Sequence, residues 1–251
     1  MSATLLDLAD GVARLTLNRP ERHNSLVPDL IDSLNADLDR VSADRSLRVL
    51  VLQAAGRSFS TGGDVAGFQA VPRGQRRAYA EKLVGGLNRA ILALLHLPMP
   101  VIGRVQGPLT GGALGCMLAC DLVAITPQAF IQPYYTEVGF SPDGGWTALL
   151  PNRIGPQRAR EIQLLNRRVS ATEAVQLGLA TTLVETDNLD STIEAWLAAL
   201  RSKQPGSVAR TKALLAIDCA AGLQAELQHF LTQIDSAEAE AGMARFLAKT
   251  N

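Results

Sequence analysis

The sequence predicts an α/β fold. Three short apolar, β-branched runs, at 47–53, 100–105 and 122–126, have strand length, and the first two lead through glycine-rich turns into helix-forming stretches. Repeated strand, turn and helix units imply a mostly parallel sheet with helices outside it. From residue 156 onward the periodicity is helical throughout.

In chain order, 4–17 alternates apolar and polar residues around Asp10-Gly11, the pattern of a β-hairpin with a type I′ turn. A polar loop at 18–25 precedes helical spacing over 26–41, and the strand at 47–53 follows. Residues 66–82 are polar and basic, with Arg73, Arg76 and Arg77 read as a solvated helix face or as an attractor of phosphates. A helix over about 78–95 ends ahead of Pro98 and Pro100. The strand at 100–105, a helix over 113–119 and the strand at 122–126 come next. Helices are then expected over 156–165, 170–177, 189–202, 207–221 and 223–248, the second opened by a capping box, Ser170-Ala-Thr-Glu173.

At 251 residues, with Lys plus Arg equal to Asp plus Glu at 24 each, the chain has the size of one enzyme domain and no charge bias toward nucleic acid or anionic membrane. A small molecule or another subunit is the expected partner. Three cysteines, Cys116, Cys120 and Cys219, form no disulfide framework and lack metal-ligand spacing to histidine, so a reducing compartment and no metal are expected. With neither a signal-peptide pattern nor a long uncharged apolar run, a cytoplasmic location is expected. His96 and His229 read as structural or exposed.

The segment from Val105 to Asp121, V-Q-G-P-L-T-G-G-A-L-G-C-M-L-A-C-D, carries the strongest chemical signal. Gly107, Gly111 and Gly112 sit where a strand turns into a helix, so they serve either close packing or the presentation of first-turn amides to a negative oxygen. A second junction of the same kind, at 54–64, favours the latter. Two such junctions can direct two amides at one oxyanion.

Four motifs in order, Leu17-Asn-Arg-Pro-Glu-Arg-His-Asn-Ser25, Phe59-Ser-Thr-Gly-Gly-Asp64, Gln106-Gly-Pro-Leu-Thr-Gly-Gly112 with Cys120-Asp121, and Val138-Gly-Phe-Ser-Pro-Asp-Gly-Gly145, resemble the enoyl-CoA hydratase/isomerase (crotonase) superfamily. Later segments at 170–180 and 242–247 resemble its C-terminal elements. The resemblance implies repeated ββα units in a spiral core over 1–190. It also implies a C-terminal helical region over 191–251 that packs on the core or a neighbouring subunit, in a homotrimer or dimer of trimers. The substrate would be an acyl-CoA thioester, with no further cofactor, and the oxyanion hole would be formed by the amides of Thr61 and Gly112.

The resemblance also marks departures. Where hydratases of the family place two glutamates, this chain has Gly115 and Tyr135, with Glu137 two residues beyond the second position on a segment read as extended. The remaining carboxylate is Asp143, in a Pro-Asp-Gly sequence that by itself is a turn. Dienoyl-CoA isomerases, phenylacetate-pathway isomerases and 4-chlorobenzoyl-CoA dehalogenases use an aspartate there. The resemblance therefore implies an isomerase moving a 3-enoyl double bond to the 2-position, with Asp143 as its single base. The alternatives are an enoyl-CoA hydratase, an aspartate-nucleophile dehalogenase or hydrolase, and a non-catalytic acyl-CoA binder. Arg22, His23, Gly62, Gly63 and Asp64 are the expected CoA-side contacts, and Phe68, Tyr135 and Trp146 the expected neighbours of the acyl group.

Overall fold

A computed structural model describes residues 2–250. Strands β1 (Thr4–Ala9) and β2 (Val12–Leu17) form an antiparallel hairpin, and the positive φ of both Asp10 and Gly11 is the backbone that a type I′ turn requires. Helix α1 (Pro28–Ala43) begins with Pro28 at its first turn and buries Leu30, Ile31, Leu34, Leu38 and Val41. It leads to β3 (Val49–Ala54), the short helix α2 (Val65–Ala70) and the long helix α3 (Arg73–His96). α3 starts earlier than the apolar spacing suggests because its first turns are anchored by arginines rather than by apolar side chains.

Strand β4 (Val101–Val105) and the two-residue β5 (Leu109–Thr110) run into a 3-10 turn, Gly111–Ala113, continued by α4 (Leu114–Leu118). β6 (Leu122–Ile125), β7 (Phe130–Gln132), the one-turn α5 (Tyr135–Val138), α6 (Leu150–Ile154) and α7 (Pro156–Leu164) follow. β8 (Val169–Ser170), α8 (Ala171–Gln176), capped by the Ser170 hydroxyl, and β9 (Thr182–Leu183) complete the strands. The chain ends in α9 (Leu189–Arg201), α10 (Pro205–Leu215), α11 (Ala220–Gln233) and α12 (Ala237–Thr250).

Six strands form one sheet in the order β1-β2-β3-β4-β6-β9, parallel throughout except at the hairpin. Strand periodicity sends alternate residues of β3 to opposite faces. Leu50 and Leu52 enter the main core with α1 and α3, while Val49 and Val51 meet Leu189, Ile193 and Leu197 of α9. A boundary at residue 190 would therefore cut α9 and divide a helix that covers the sheet. A smaller sheet, β5-β7-β8, lies at the ends of these units and supplies part of the cavity described below.

The single helix expected over 223–248 is two helices. The break falls at 234–236, where the Ser236 hydroxyl accepts from the Ala239 amide at 3.0 Å and caps α12. α12 thereby folds back against α2 and α5 of its own chain. No helix among the described residues is long and apolar enough to cross a membrane.

Candidate functional site

A cavity of about 470 Å³ opens where the two glycine junctions meet the small sheet and the C-terminal helices. Thr61, Gly63 and Asp64 come from the first junction, and Thr110, Gly111 and Gly112 from the second. The junctions touch directly: Gly62 packs so closely on Thr110 that a Cβ there would lie 2.7 Å from the Thr110 carbonyl. Gly112 is in the first turn of the helix leading into α4, where amides lack intrahelical acceptors. The Thr61 amide donates to the His23 carbonyl at 3.1 Å. An oxyanion would therefore share that N–H with His23 or displace its carbonyl.

Asp143 enters the cavity from the loop before α6, 7% exposed, against Gly112; a Cβ on Gly112 would come within 2.7 Å of Asp143 Oδ1. The Tyr135 hydroxyl donates to Asp143 Oδ1 at 2.5 Å and lies 3.1 Å from the Asp143 carbonyl. Burial pushes the Asp143 carboxyl up to about 7, with the nearby Glu226 carboxylate adding to the rise and the Tyr135 hydrogen bond opposing it. Burial likewise raises the Tyr135 phenol, reinforced by the Asp143 charge, so the phenol acts as a donor. A carboxyl titrating near neutrality beside first-turn amides suits proton transfer at a carbon whose charge passes to an oxygen.

The loop carrying Asp143 fits against the oxyanion turn because of a glycine pair. Gly144 lies against Gly112, where a Cβ would be 2.2 Å from the Gly112 carbonyl, and a Cβ on Gly115 would be 2.4 Å from the Gly144 carbonyl and 2.3 Å from Ile91 Cδ1. No side chain fits at position 115 while the loop keeps this course. Glu137, read from sequence on an extended segment, is instead exposed on the one-turn α5, 3.8 Å from Lys249, and does not line the cavity. The turn is forced by Tyr134, whose φ of 65° swings the chain out of β7 and whose amide is held by Asn166 Oδ1 at 2.8 Å.

Three expected contact residues lie off the cavity wall. Gly62 is enclosed between the junctions; its carbonyl accepts from Leu26 at 2.7 Å. Phe68 is 1% exposed, with ring centroids 5.4 Å from Phe140 and 5.7 Å from Phe230, and so supports two cavity-lining rings from behind. Trp146 is fully buried, and its Nε1 donates to the Gly111 carbonyl at 2.8 Å, tying the Asp143 loop to the oxyanion turn. Arg22, His23, Gly63, Asp64 and Tyr135 do line the cavity. Arg22 lies 3.8 Å from Asp64, which also caps α2 through the Gly67 amide at 3.1 Å.

Of the three arginines at the start of α3, Arg73 and Arg77 are exposed, as a solvated face implies, while Arg76 is buried, and none of them lines the cavity. Arg76 is 4% exposed, paired with Glu240 and donating to the Val71 carbonyl at 3.0 Å, while Arg73 and Arg77 donate to the carbonyls of Asp235 and Leu231. Arg76 seats α12, which brings Phe246 and Leu247 to the cavity wall, while Arg73 and Arg77 hold the turn before α12 and the end of α11. Sequence reading also missed Phe130, Phe230, Ser25 and the buried Glu226. For Glu226 a signal existed: it shares the apolar face of α11 with Leu223, Leu227 and Phe230. Asn24, fully buried, pins the 19–25 loop through bonds to the Ala55 and Ser58 carbonyls. Cys116 and Cys120 are buried core thiols, the former pushed up to about 12 by burial. No metal-holding group of His, Cys, Asp or Glu occurs among the described residues.

The sequence profile of the enoyl-CoA hydratase/isomerase family matches residues 7–251. A probable enoyl-CoA hydratase of Mycobacterium tuberculosis is 37% identical over 222 residues, covering 86% of this chain and 78% of the relative. The 1,2-epoxyphenylacetyl-CoA isomerase of Escherichia coli is 31% identical over 258 residues, covering 99% and 97%. Among solved structures, an enoyl-CoA hydratase from Mycobacterium avium subsp. paratuberculosis superposes with a TM-score of 0.87 at 29% identity, covering 97% of this chain and 98% of that one. The chain belongs to the enoyl-CoA hydratase/isomerase (crotonase) family and has its fold.

Proposed function

We propose that the protein is an enoyl-CoA isomerase that moves a double bond from the 3- to the 2-position with Asp143 as its one acid–base group. The observation that carries this reading is that Asp143 is the carboxylate beside Gly112. The other acidic residues lining the cavity, Glu21 and Asp64, accompany Arg22. Asp143 removes a proton from C2, and the electron pair moves through the C2–C1 bond onto the thioester oxygen. The Gly112 amide and, once the His23 carbonyl yields, the Thr61 amide hold that oxygen. The neutral carboxyl then returns the proton to C4, completing a 1,3-shift with no net change in the enzyme.

Hydration has to orient a water as well as move a proton, and the two positions where the family's hydratases carry glutamates hold Gly115 and Tyr135. Tyr135 already donates to Asp143, which leaves the second carboxylate oxygen for substrate. The aromatic wall of Phe130, Phe140 and Phe230 supplies an apolar seat for the acyl group.

The test is a spectrophotometric panel of 3-enoyl-, 2-enoyl- and aromatic acyl-CoAs with wild type and Asp143→Asn. Conversion of 3-enoyl-CoA by wild type, lost at least 1,000-fold in Asp143→Asn with CoA-thioester binding retained, is the expected result, roughly the scale of losing an acid–base group. Near-normal isomerisation by the variant overturns the assignment. Absorbance loss from 2-enoyl-CoA in place of isomerisation makes the enzyme a hydratase, in keeping with the description of the Mycobacterium tuberculosis relative.

A further inference from the structure

The loop that carries Asp143 is gripped by a single buried carboxylate. Glu226, on α11 and 3% exposed, accepts from the Gly145 amide at 2.8 Å through Oε2. Through Oε1 it accepts from the Thr147 amide at 2.6 Å, the Thr147 hydroxyl at 2.7 Å and the Ala148 amide at 2.9 Å. Four donors converging on one side chain is the pattern that stabilises a carboxylate out of water. It also fixes three of the five residues that follow Asp143. One turn further along the same helix, Phe230 forms part of the cavity wall, so α11 holds both the acyl side and the acid–base side of the site.

We propose that Glu226 is a positioning residue for Asp143, locking the 144–148 loop against the oxyanion turn and, by the negative charge it holds at that loop, adjusting the pH at which the buried base becomes active. This deepens the isomerase reading and rests on Asp143 being the base. A second carboxylate held nearby in a dry environment disfavours ionisation of the first. From α5 the Tyr135 hydroxyl bonds Asp143 directly and favours the ionised form, whereas Glu226 of α11, bonded to the Gly145 amide two residues along the loop, opposes it through its charge. Cys219, at the start of α11, also feels the Glu226 charge and remains a thiol raised by burial. Burial thus raises the base, and one donor and one like charge adjust it in opposite directions.

The experiment is the pH dependence of kcat for wild type, Glu226→Gln, Thr147→Val and Asp143→Asn. Glutamine keeps a carbonyl for the Thr147 and Ala148 donors, removes the charge, and turns its NH2 toward the Gly145 amide, which loses its acceptor. The acid limb of Glu226→Gln is expected to move down by about one pH unit, about tenfold more relative turnover at the foot of the profile, with a lowered plateau. Thr147→Val gives up one hydrogen bond and keeps the charge, so its acid limb should coincide with that of wild type. A folded Glu226→Gln enzyme with an unmoved limb overturns the proposal, as does an equal shift in Thr147→Val. Should Glu226→Gln fail to fold, Glu226→Asp carries the test. Its charge is retained and its reach shortened, so an unmoved limb with kcat lowered at least tenfold supports the role, and wild-type kcat overturns it. Asp143→Asn separates the two readings. Activity retained there defeats the base itself, whereas an inactive Asp143→Asn beside an unmoved Glu226→Gln limb defeats only the role of Glu226.

Discussion

Replacing Asp143 with asparagine should remove activity and, above neutral pH, make the protein more stable. Burial raises the folded-state carboxyl from its ordinary value of 3.8 to about 7. In the unfolded chain the same group loses its proton near pH 4. Between those values the folded state holds the Asp143 proton more tightly than the unfolded state, so this group's contribution to stability falls as pH rises from about 4 to about 7, then levels off. The difference of about 3 units corresponds to a ceiling of about 4 kcal/mol; relaxation of the loop and entry of water around the charged form lower it toward about 2 kcal/mol. Asparagine keeps an oxygen to accept from Tyr135 and has no proton to lose. Urea unfolding of both proteins at pH 4 and pH 8.5 measures the effect. The stability gained by the variant should be small at the lower pH and about 2–4 kcal/mol at the higher. An equal difference at the two values would refute the account of a base held neutral by burial.

Tyr135→Phe removes the hydrogen bond that favours the Asp143 carboxylate, so the acid limb of kcat should move to higher pH, opposite to Glu226→Gln; a pH–rate profile decides the sign. Gly115→Glu should not create a hydratase: with Ile91 and the Gly144 carbonyl less than 3 Å from the new Cβ, the Asp143 loop is displaced. Lost isomerisation, no gained hydration and a destabilisation of about 2 kcal/mol or more by denaturant titration are expected. Trp146→Phe deletes the N–H donated to the Gly111 carbonyl, costing about 1 kcal/mol of stability and lowering kcat with KM nearly unchanged, as steady-state kinetics would show. Arg76→Met leaves the Val71 and Gln69 carbonyls without their donor and frees α12 from α3, so limited proteolysis should cut near 234–236 faster and KM should rise.

The α/β architecture, the hairpin and most helices were legible because strand and helix signals are local: alternation around Asp10-Gly11, β-branched runs ahead of glycine turns, and the Ser170 cap. Family membership was legible because its motifs are short and ordered along the chain. The sequence therefore determined the fold, the family and the candidate base, Asp143. It could not show that Phe68 and Trp146 stand behind the cavity, because an aromatic residue scores the same whether its ring faces a ligand or a neighbouring ring. Nor could it show that Arg76 is buried under α12, since its partner Glu240 is 164 residues away. The use of the Thr61 amide by His23, the exclusion of any side chain at Gly115 by Gly144, and the grip of Glu226 on the Asp143 loop were decided by tertiary structure alone. Each depends on distances between segments far apart in the chain, and it is those distances that set burial, hydrogen bonding and the charge state of the base.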